Sequence, residues 1–125
     1  MMTVDPDHWK ALDTILHEAS DPVIVGHRNP DGDCLGVMSA LAVMIAWRGN
    51  HPRLLSADPV PDHFRFMPFM DKVEVLEVAE CGDNPVIYLE CGNPDRAGVR
   101  ISGSGAVVNL DHHPDNSGFG DIVLQ

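Results

Sequence analysis

One stretch constrains this chain more than any other: Val23-Ile24-Val25-Gly26-His27-Arg28-Asn29-Pro30-Asp31-Gly32-Asp33-Cys34-Leu35-Gly36. It opens on an apolar run behind Pro22 that is too short for a helix and reads as a buried strand over 22–27. One imidazole and two carboxylates follow, His27, Asp31 and Asp33, with the turn dipeptides Asn29-Pro30 and Asp31-Gly32 among them. From Cys34 the pattern turns helical. Leu35, Met38, Leu41, Ala42 and Ile45 recur at three- and four-residue steps and predict a helix over 34–48, stopped by Gly49-Asn50. Gly36 and Ser39, small residues in its first turns, predict close packing on a sheet. The polar cluster therefore lies where a strand ends and a helix begins, and in an open α/β sheet that edge binds ligands. Oxygen and nitrogen donors on a turn suit a hard or borderline divalent cation, Mn²⁺, Mg²⁺, Fe²⁺ or Zn²⁺. The plainer reading of the same residues is an Asx-rich turn with Asp33 capping the helix.

Two further apolar runs end in the same way. Pro85-Val86-Ile87-Tyr88-Leu89 delivers Glu90, and Ala106-Val107-Val108-Asn109-Leu110 delivers Asp111-His112-His113. The connections between these strands have room for crossovers, which favours a parallel sheet. In a parallel sheet all the C-terminal strand ends share one edge, so residues distant in sequence meet in space. An acid or a histidine at one strand end is common by chance. Such groups at three strand ends are not, and together they predict a metal site.

The remaining segments are less specific. Asp5-Pro6 reads as an N-cap and a first helical residue. Trp9, Leu12, Ile15, Leu16 and Ala19 then mark one face of a helix ending near Ser20, with His8 and His17 facing solvent. Residues 52–56 read as a strand, and 62–66 as a short helix near an apolar cluster of Phe64, Phe66 and Met67. His51 and His63 read as surface residues, and Met38, Met44 and Trp47 as core or interface. Residues 73–78 fit either a strand or a helical turn, and 119–125 the start of an edge strand.

Composition narrows the partners. The 125 residues suffice for one domain with a core. A formal net charge of −11 disfavours long duplex nucleic acid and anionic membrane, both of which need Lys and Arg to neutralise phosphates. The same charge suits a protein that holds cations. The three cysteines, Cys34, Cys81 and Cys91, contain no C-x-x-C pair, which argues for a reduced, cytoplasmic setting. Cys34 and Cys91 are expected to pack rather than ligate. No apolar run approaches the length of a membrane span, and the acidic start of the chain is unlike a signal peptide. Ser39 and Ser104 lack a G-x-S-x-G setting, so no serine nucleophile is expected.

His27-x-Asn29-Pro30-Asp31-Gly32-Asp33 with Gly36, then Asp111-His112-His113 with Asn116, resembles motifs I and III of the DHH phosphoesterases. That superfamily includes RecJ-type exonucleases, oligoribonucleases with phosphoadenosine-phosphate phosphatase activity, and family II inorganic pyrophosphatases. Gly32 and Phe119-Gly120-Asp121 resemble the oligoribonuclease-like branch most. The resemblance implies a Rossmann-like αβα three-layer fold and a site for two manganese ions. By position, His27, Asp31 and the motif II acid would hold one ion. Asp33, the same acid as a bridge, and His112 would hold the other. His113 would face the phosphate with Asn29 nearby, and Asp111 would orient an imidazole. Arg28, Arg96 and Asn116 are the expected substrate contacts, with an ion pair to Asp95 or a neighbouring acid as the alternative for Arg96.

Two departures from the pattern stand out. The motif II acid is Glu90, where the family has aspartate six residues before an arginine, here Arg96. One extra methylene moves the bridging carboxylate outward. The strand end must then retreat, the ions separate, or one site weaken. The family's fourth motif and C-terminal substrate-binding domain are also missing, so residues 1–125 are expected to be the N-terminal part of a longer DHH protein. The implied activity is hydrolysis of phosphate esters in small nucleotides or short single-stranded oligonucleotides by water activated between two metal ions. A homodimer is compatible with it. The alternatives are a catalytically incomplete metal- or nucleotide-binding domain and an inorganic pyrophosphatase.

Overall fold

A computed structural model describes residues 5–125. The first helix, α1 (Pro6–Glu18), starts as its sequence predicts. Asp5 caps it by accepting the Asp7 N–H at 2.9 Å, and Pro6 occupies the first turn, where its missing N–H has no helical partner to lose. α1 buries Leu12 and Leu16, whereas Trp9 on the same expected face stays exposed. His8 is not solvent-facing as expected. It is half-buried, and its Nδ1 lies 2.7 Å from the Val123 carbonyl near the other end of the chain.

Three short strands form one half of the main sheet: β1 (Val23–Val25), β2 (Arg53–Ser56) and β3 (Glu74–Val75). The helix α2 (Gly32–Trp47) connects the first two. β4 (Val78–Glu80), β5 (Val86–Leu89), β6 (Arg100–Ser102), β7 (Val107–Leu110) and β8 (Ile122–Leu124) follow. Residues 73–78 thus resolve into parts of two strands separated by Leu76-Glu77. The main sheet has the order β3-β2-β1-β5-β7-β8, and every pair is parallel. β1, β5 and β7 are neighbours, with Val25 opposite Tyr88 and Leu89 opposite Leu110. Their C-terminal ends therefore meet at one edge, as the apolar runs predict.

The layers are unequal. On one face, α1 and α2 pack Leu12, Leu16, Leu35, Met38 and Ile45 against Ile24, Ile87 and Val108 of the sheet. On the other face Val25, Leu55 and Tyr88 are covered by β4 and β6, which pair only with each other, and by the 3-10 turn Pro94–Ala97. The fold is a three-layer α/β arrangement whose second outer layer is this ribbon and turn. Residues 90–99 and 111–121 are dense in Gly, Pro, Asn and Asp, which favours turns over long crossover helices. β4 and β6 are too short and polar to stand out as strands in the sequence.

One glycine sets the approach of α2, and it is not Gly36, around which a Cβ would meet nothing within 4 Å. At Gly26 a Cβ would collide with Cys34 Sγ and Met38 Sδ. The missing side chain lets the first turns of α2 lie directly over the end of β1. That contact puts Asp31 beside His27.

Candidate metal centre

The end of β1 is built from a turn and a helix cap. The His27 Nδ1–H donates to the Arg28 carbonyl at 2.6 Å, since a carbonyl can only accept. In the neutral ring this fixes the tautomer and leaves the Nε2 lone pair for a ligand, 3.6 Å from Asp31 Oδ1. Asp31, not Asp33, is the N-cap of α2, accepting the Cys34 N–H at 2.9 Å. That backbone hydrogen bond, with help from His27, holds the Asp31 carboxyl below its ordinary value despite partial desolvation. Only Oδ1 is committed to the cap, so capping and cation binding are compatible in one side chain. Asp33 is exposed in the first turn of the helix. Asn29 has a φ of 50°, in the left-handed region where asparagine is tolerated, and its N–H donates to Asp58 at 2.9 Å.

The ends of β5 and β7 interlock. Glu90 leaves β5 with a φ of 61°, a conformation costly for a residue with a Cβ. Its N–H still donates to the Leu110 carbonyl at 3.0 Å, so β5 and β7 stay in register through the turn. The Glu90 carboxylate is nearly buried, with Oε2 2.9 Å from His112 Nε2 and 3.9 Å from His113 Nδ1. Behind them Asp111 is buried. It accepts the backbone N–H of His112 at 2.9 Å and of His113 at 3.3 Å, the His113 Nδ1–H, and the Asn116 amide at 2.8 Å. Burial pushes the Asp111 carboxyl up, but the hydrogen bonds from Asn116 and His113 outweigh it, and the net shift is downward. Donating its Nδ1–H to Asp111 raises the pKa of His113 and leaves its Nε2 for another partner.

These ends open on one cavity of about 210 Å³, lined by His27, Asp31, Glu90, Arg96 and His113, with Asp115 also on its wall. Larger cavities lie elsewhere, such as one of about 380 Å³ between α1 and α2, but that one is lined mainly by apolar residues. The donor atoms of Glu90, Asp111, His112 and His113 all lie within 4.8 Å of one another. Carboxylate oxygens and imidazole nitrogens this close fit a hard or borderline divalent cation.

The expected site residues therefore divide. His27, Asp31, Glu90, Arg96 and His113 share the cavity, and His112 and Asp111 join it through Glu90 and His113. Asp33, Arg28, Asn29 and Asn116 are not on its wall. Arg28 lies against Gly98 and reaches Asp58 at 3.9 Å. Both ends of the Asn116 amide are used internally, on Asn109, Asp111, the Cys91 carbonyl and the Gly118 N–H. Phe119-Gly120-Asp121 is structural in its contacts. Phe119 packs on Tyr88, and Asp121 accepts the Val107 N–H at 2.8 Å. The arginine ion pairs among the described residues use Arg28, Arg48, Arg53 and Arg65, which leaves Arg96 without one. Burial pushes the thiols of Cys34 and Cys91 up to about 11 and about 12, in keeping with packing roles. Sequence reasoning missed Asp58 and Asp115. Both were findable: Asp58 follows the end of strand β2 at the same edge, and Asp115 follows the His112-His113 pair by two residues.

No protein-family model matches the chain. It is 27% identical over 133 aligned positions to the bifunctional oligoribonuclease and PAP phosphatase NrnA of Thermus thermophilus, covering 94% of this chain and 37% of that protein. An exopolyphosphatase-related protein from Bacteroides fragilis shares its fold, with a TM-score of 0.77 at 18% identity, over 99% of this chain and 40% of that one. The chain thus spans 37 to 40% of the length of these relatives. Among the described residues no helix is long and apolar enough to cross a membrane. The fold neighbour supports the fold, and the sequence relative, like the His27–Asp33 and Asp111–His113 motifs, points to a DHH-like superfamily at a level above any one of its branches.

Proposed function

We propose that this chain carries the metal-holding part of a divalent-metal-dependent phosphoesterase that hydrolyses phosphate esters of small nucleotides or short single-stranded oligonucleotides. One observation carries the reading. Three neighbouring strand ends and the turns that follow them, from segments far apart in sequence, bring two imidazoles, three carboxylates and a guanidinium without an ion pair among the described residues to one cavity. His27, Asp31, Glu90 and His112 would hold the cations, with Asp33 contributing from the first turn of α2. When bound, a pair of divalent ions supplies Lewis acidity that offsets phosphate charge and lowers the pKa of water. Manganese suits the mixed oxygen and nitrogen donors.

The chain's own side chains do the rest. Asp111 holds the His113 ring and favours its charged form, a suitable partner for a phosphate oxygen. Arg96, on the cavity wall without an ion pair among the described residues, supplies a second positive group. Arg28 and Asn29 shape the β1 turn, and Asn116 acts by bracing Asp111. The NrnA relative supports the nucleotide substrate class.

A calorimetric titration with Mn²⁺ tests the reading. Two saturable sites in the chain, lost in His27→Ala and Glu90→Gln, are the expected result; no binding overturns it. One site favours a second reading, a catalytically incomplete binding domain. Asp33's position off the cavity wall and glutamate at position 90 support that alternative. Assaying pyrophosphate against a 3′,5′-bisphosphonucleotide in the intact protein separates a pyrophosphatase from the nucleotide enzyme.

A further inference from the structure

Asp58 follows the end of β2, off the wall of the acidic cavity, yet it is tied into the turn that carries His27 and Asp31. Its Oδ2 accepts the Asn29 N–H at 2.9 Å, and its Oδ1 lies 3.9 Å from the Arg28 guanidinium. Among the described residues no backbone carbonyl takes that N–H. Asp58 is itself held. The hydroxyl of the buried Ser56 donates to the Asp58 carbonyl at 2.6 Å and accepts the Asp58 N–H at 3.2 Å, which fixes how the chain leaves β2.

The turn needs such a hold from outside. Asn29 has a φ of 50° and stands directly before Pro30. A proline pushes the preceding residue towards extended backbone with a negative φ, and the left-handed region is costly for any residue with a Cβ. The local sequence therefore does not favour this path by itself. The flanks of the turn are anchored. Val25 is paired in the sheet, the Arg28 N–H donates to the Arg96 carbonyl at 2.8 Å, and Asp31 caps α2. At Asn29, midway between His27 and Asp31, the backbone rests on the Asp58 carboxylate. We propose that Asp58 is a positioning residue of the metal centre, whose hydrogen bond to the Asn29 N–H sets the path of the turn so that His27 and Asp31 face the same cation. The proposal rests on the metal-dependent reading above. Asp58 sets the backbone path, and the two side chains complete their order on the cation. The Arg28 pair contributes little, because it is long and open to solvent.

The test reads Mn²⁺ binding by calorimetry and the Asn29 amide by NMR, both in the full chain. In the chelator-treated, ¹⁵N-labelled chain, Asp58→Ala moves the Asn29 amide proton upfield. Asp58→Asn, whose amide oxygen still accepts, returns it most of the way. Asp58→Ala weakens Mn²⁺ binding about tenfold, the loss expected for a group that orients ligands, and Asp58→Asn stays within about twofold of the parent. Asp58→Ser, one bond short of the Asn29 N–H, gives the same loss as alanine and serves in its place if alanine does not fold. Arg53→Ala is the control: it breaks the 2.9 Å ion pair between β2 and Glu74, lowers stability and leaves Mn²⁺ affinity unchanged. A merely structural Asp58 would behave as Arg53 does, and stability lost with Mn²⁺ affinity intact overturns the proposal. An asparagine variant as weak as alanine, or an Asn29 amide that does not move, overturns it too. A parent chain that binds no Mn²⁺ sinks the metal-centre reading and this proposal together. A parent that binds Mn²⁺ as expected, with no hydrolysis of any phosphoester by the intact protein, sinks the phosphoesterase reading and leaves the role of Asp58 standing.

Discussion

The ends of β1 and β7 contribute similar chemistry to the same cavity and are built in opposite ways. At β1 the donors sit on a turn and a helix cap, with His27 and Asp31 3.6 Å apart and the His27 Nδ1 held by a backbone carbonyl instead of a buried carboxylate. At β7 a buried carboxylate gathers four donors and fixes two consecutive residues, His112 and His113. Asn116 and Asn109 then brace that carboxylate by exchanging amide hydrogen bonds at 2.7 and 2.9 Å. The lesson is one of preorganisation. The β7 end holds its imidazole whether or not a cation is present, and the β1 end gains most of its order from what it binds.

The largest expected effect falls on activity and treats both ends alike. In the intact protein, Asp31→Ala and His112→Ala each abolish manganese-dependent phosphoester hydrolysis; unchanged turnover in either removes that residue from the ligand set. The contrast itself is tested by stability. Asp111→Ala strips four donors of a buried acceptor and is expected to cost about 3 kcal/mol in urea unfolding of the metal-free chain. Asp31→Ala removes a helix cap and costs about 1 kcal/mol, while Asp31→Asn keeps the cap and loses only metal affinity. Equal losses in the two alanine variants would erase the distinction between the ends.

A finer test concerns Glu90. Glycine and alanine at this position both delete the carboxylate, but only alanine is strained by the left-handed φ of 61°. Glu90→Gly is therefore expected to be more stable than Glu90→Ala by about 1 kcal/mol, with both failing to bind manganese tightly. The smallest effect is a pH dependence of the metal-free fold. The Asp111 carboxyl is lowered from 3.8, so its contribution is present above that value and is lost as pH falls through the folded pKa. His113 is raised from 6.5, so its contribution is full below that value and is lost as pH rises through the folded pKa. The pair thus stabilises most between about pH 4 and pH 6.5, and Asp111→Asn flattens that maximum. Half of the His113 side chain is exposed, so the alkaline arm is shallow.

Much of this was legible in the chain itself. Apolar runs ending at Gly26, Leu89 and Leu110, each followed by acids or imidazoles, announce a parallel sheet with a polar rim. Strand length, turn dipeptides and helical periodicity are local properties, and the backbone obeys them here. The Asp5 cap, the stop at Gly49 and the edge strand near 122–124 follow for the same reason. Errors arose where a shift of two residues mattered. Starting α2 at Gly32 rather than Cys34 makes Asp31, not Asp33, the cap and places Asp33 inside the first turn.

The sequence alone therefore determined the strand ends, their chemistry and the direction in which the strands run. Only the tertiary structure decided which of those groups meet. Asn116 turns inward to serve Asp111, Asp115 lines the cavity, and Arg28 leans on Gly98. Each of these depends on contacts between segments that share no local pattern. The physical reason is that a side chain's partners are set by the packing of neighbouring strands and turns, which no short window of residues contains.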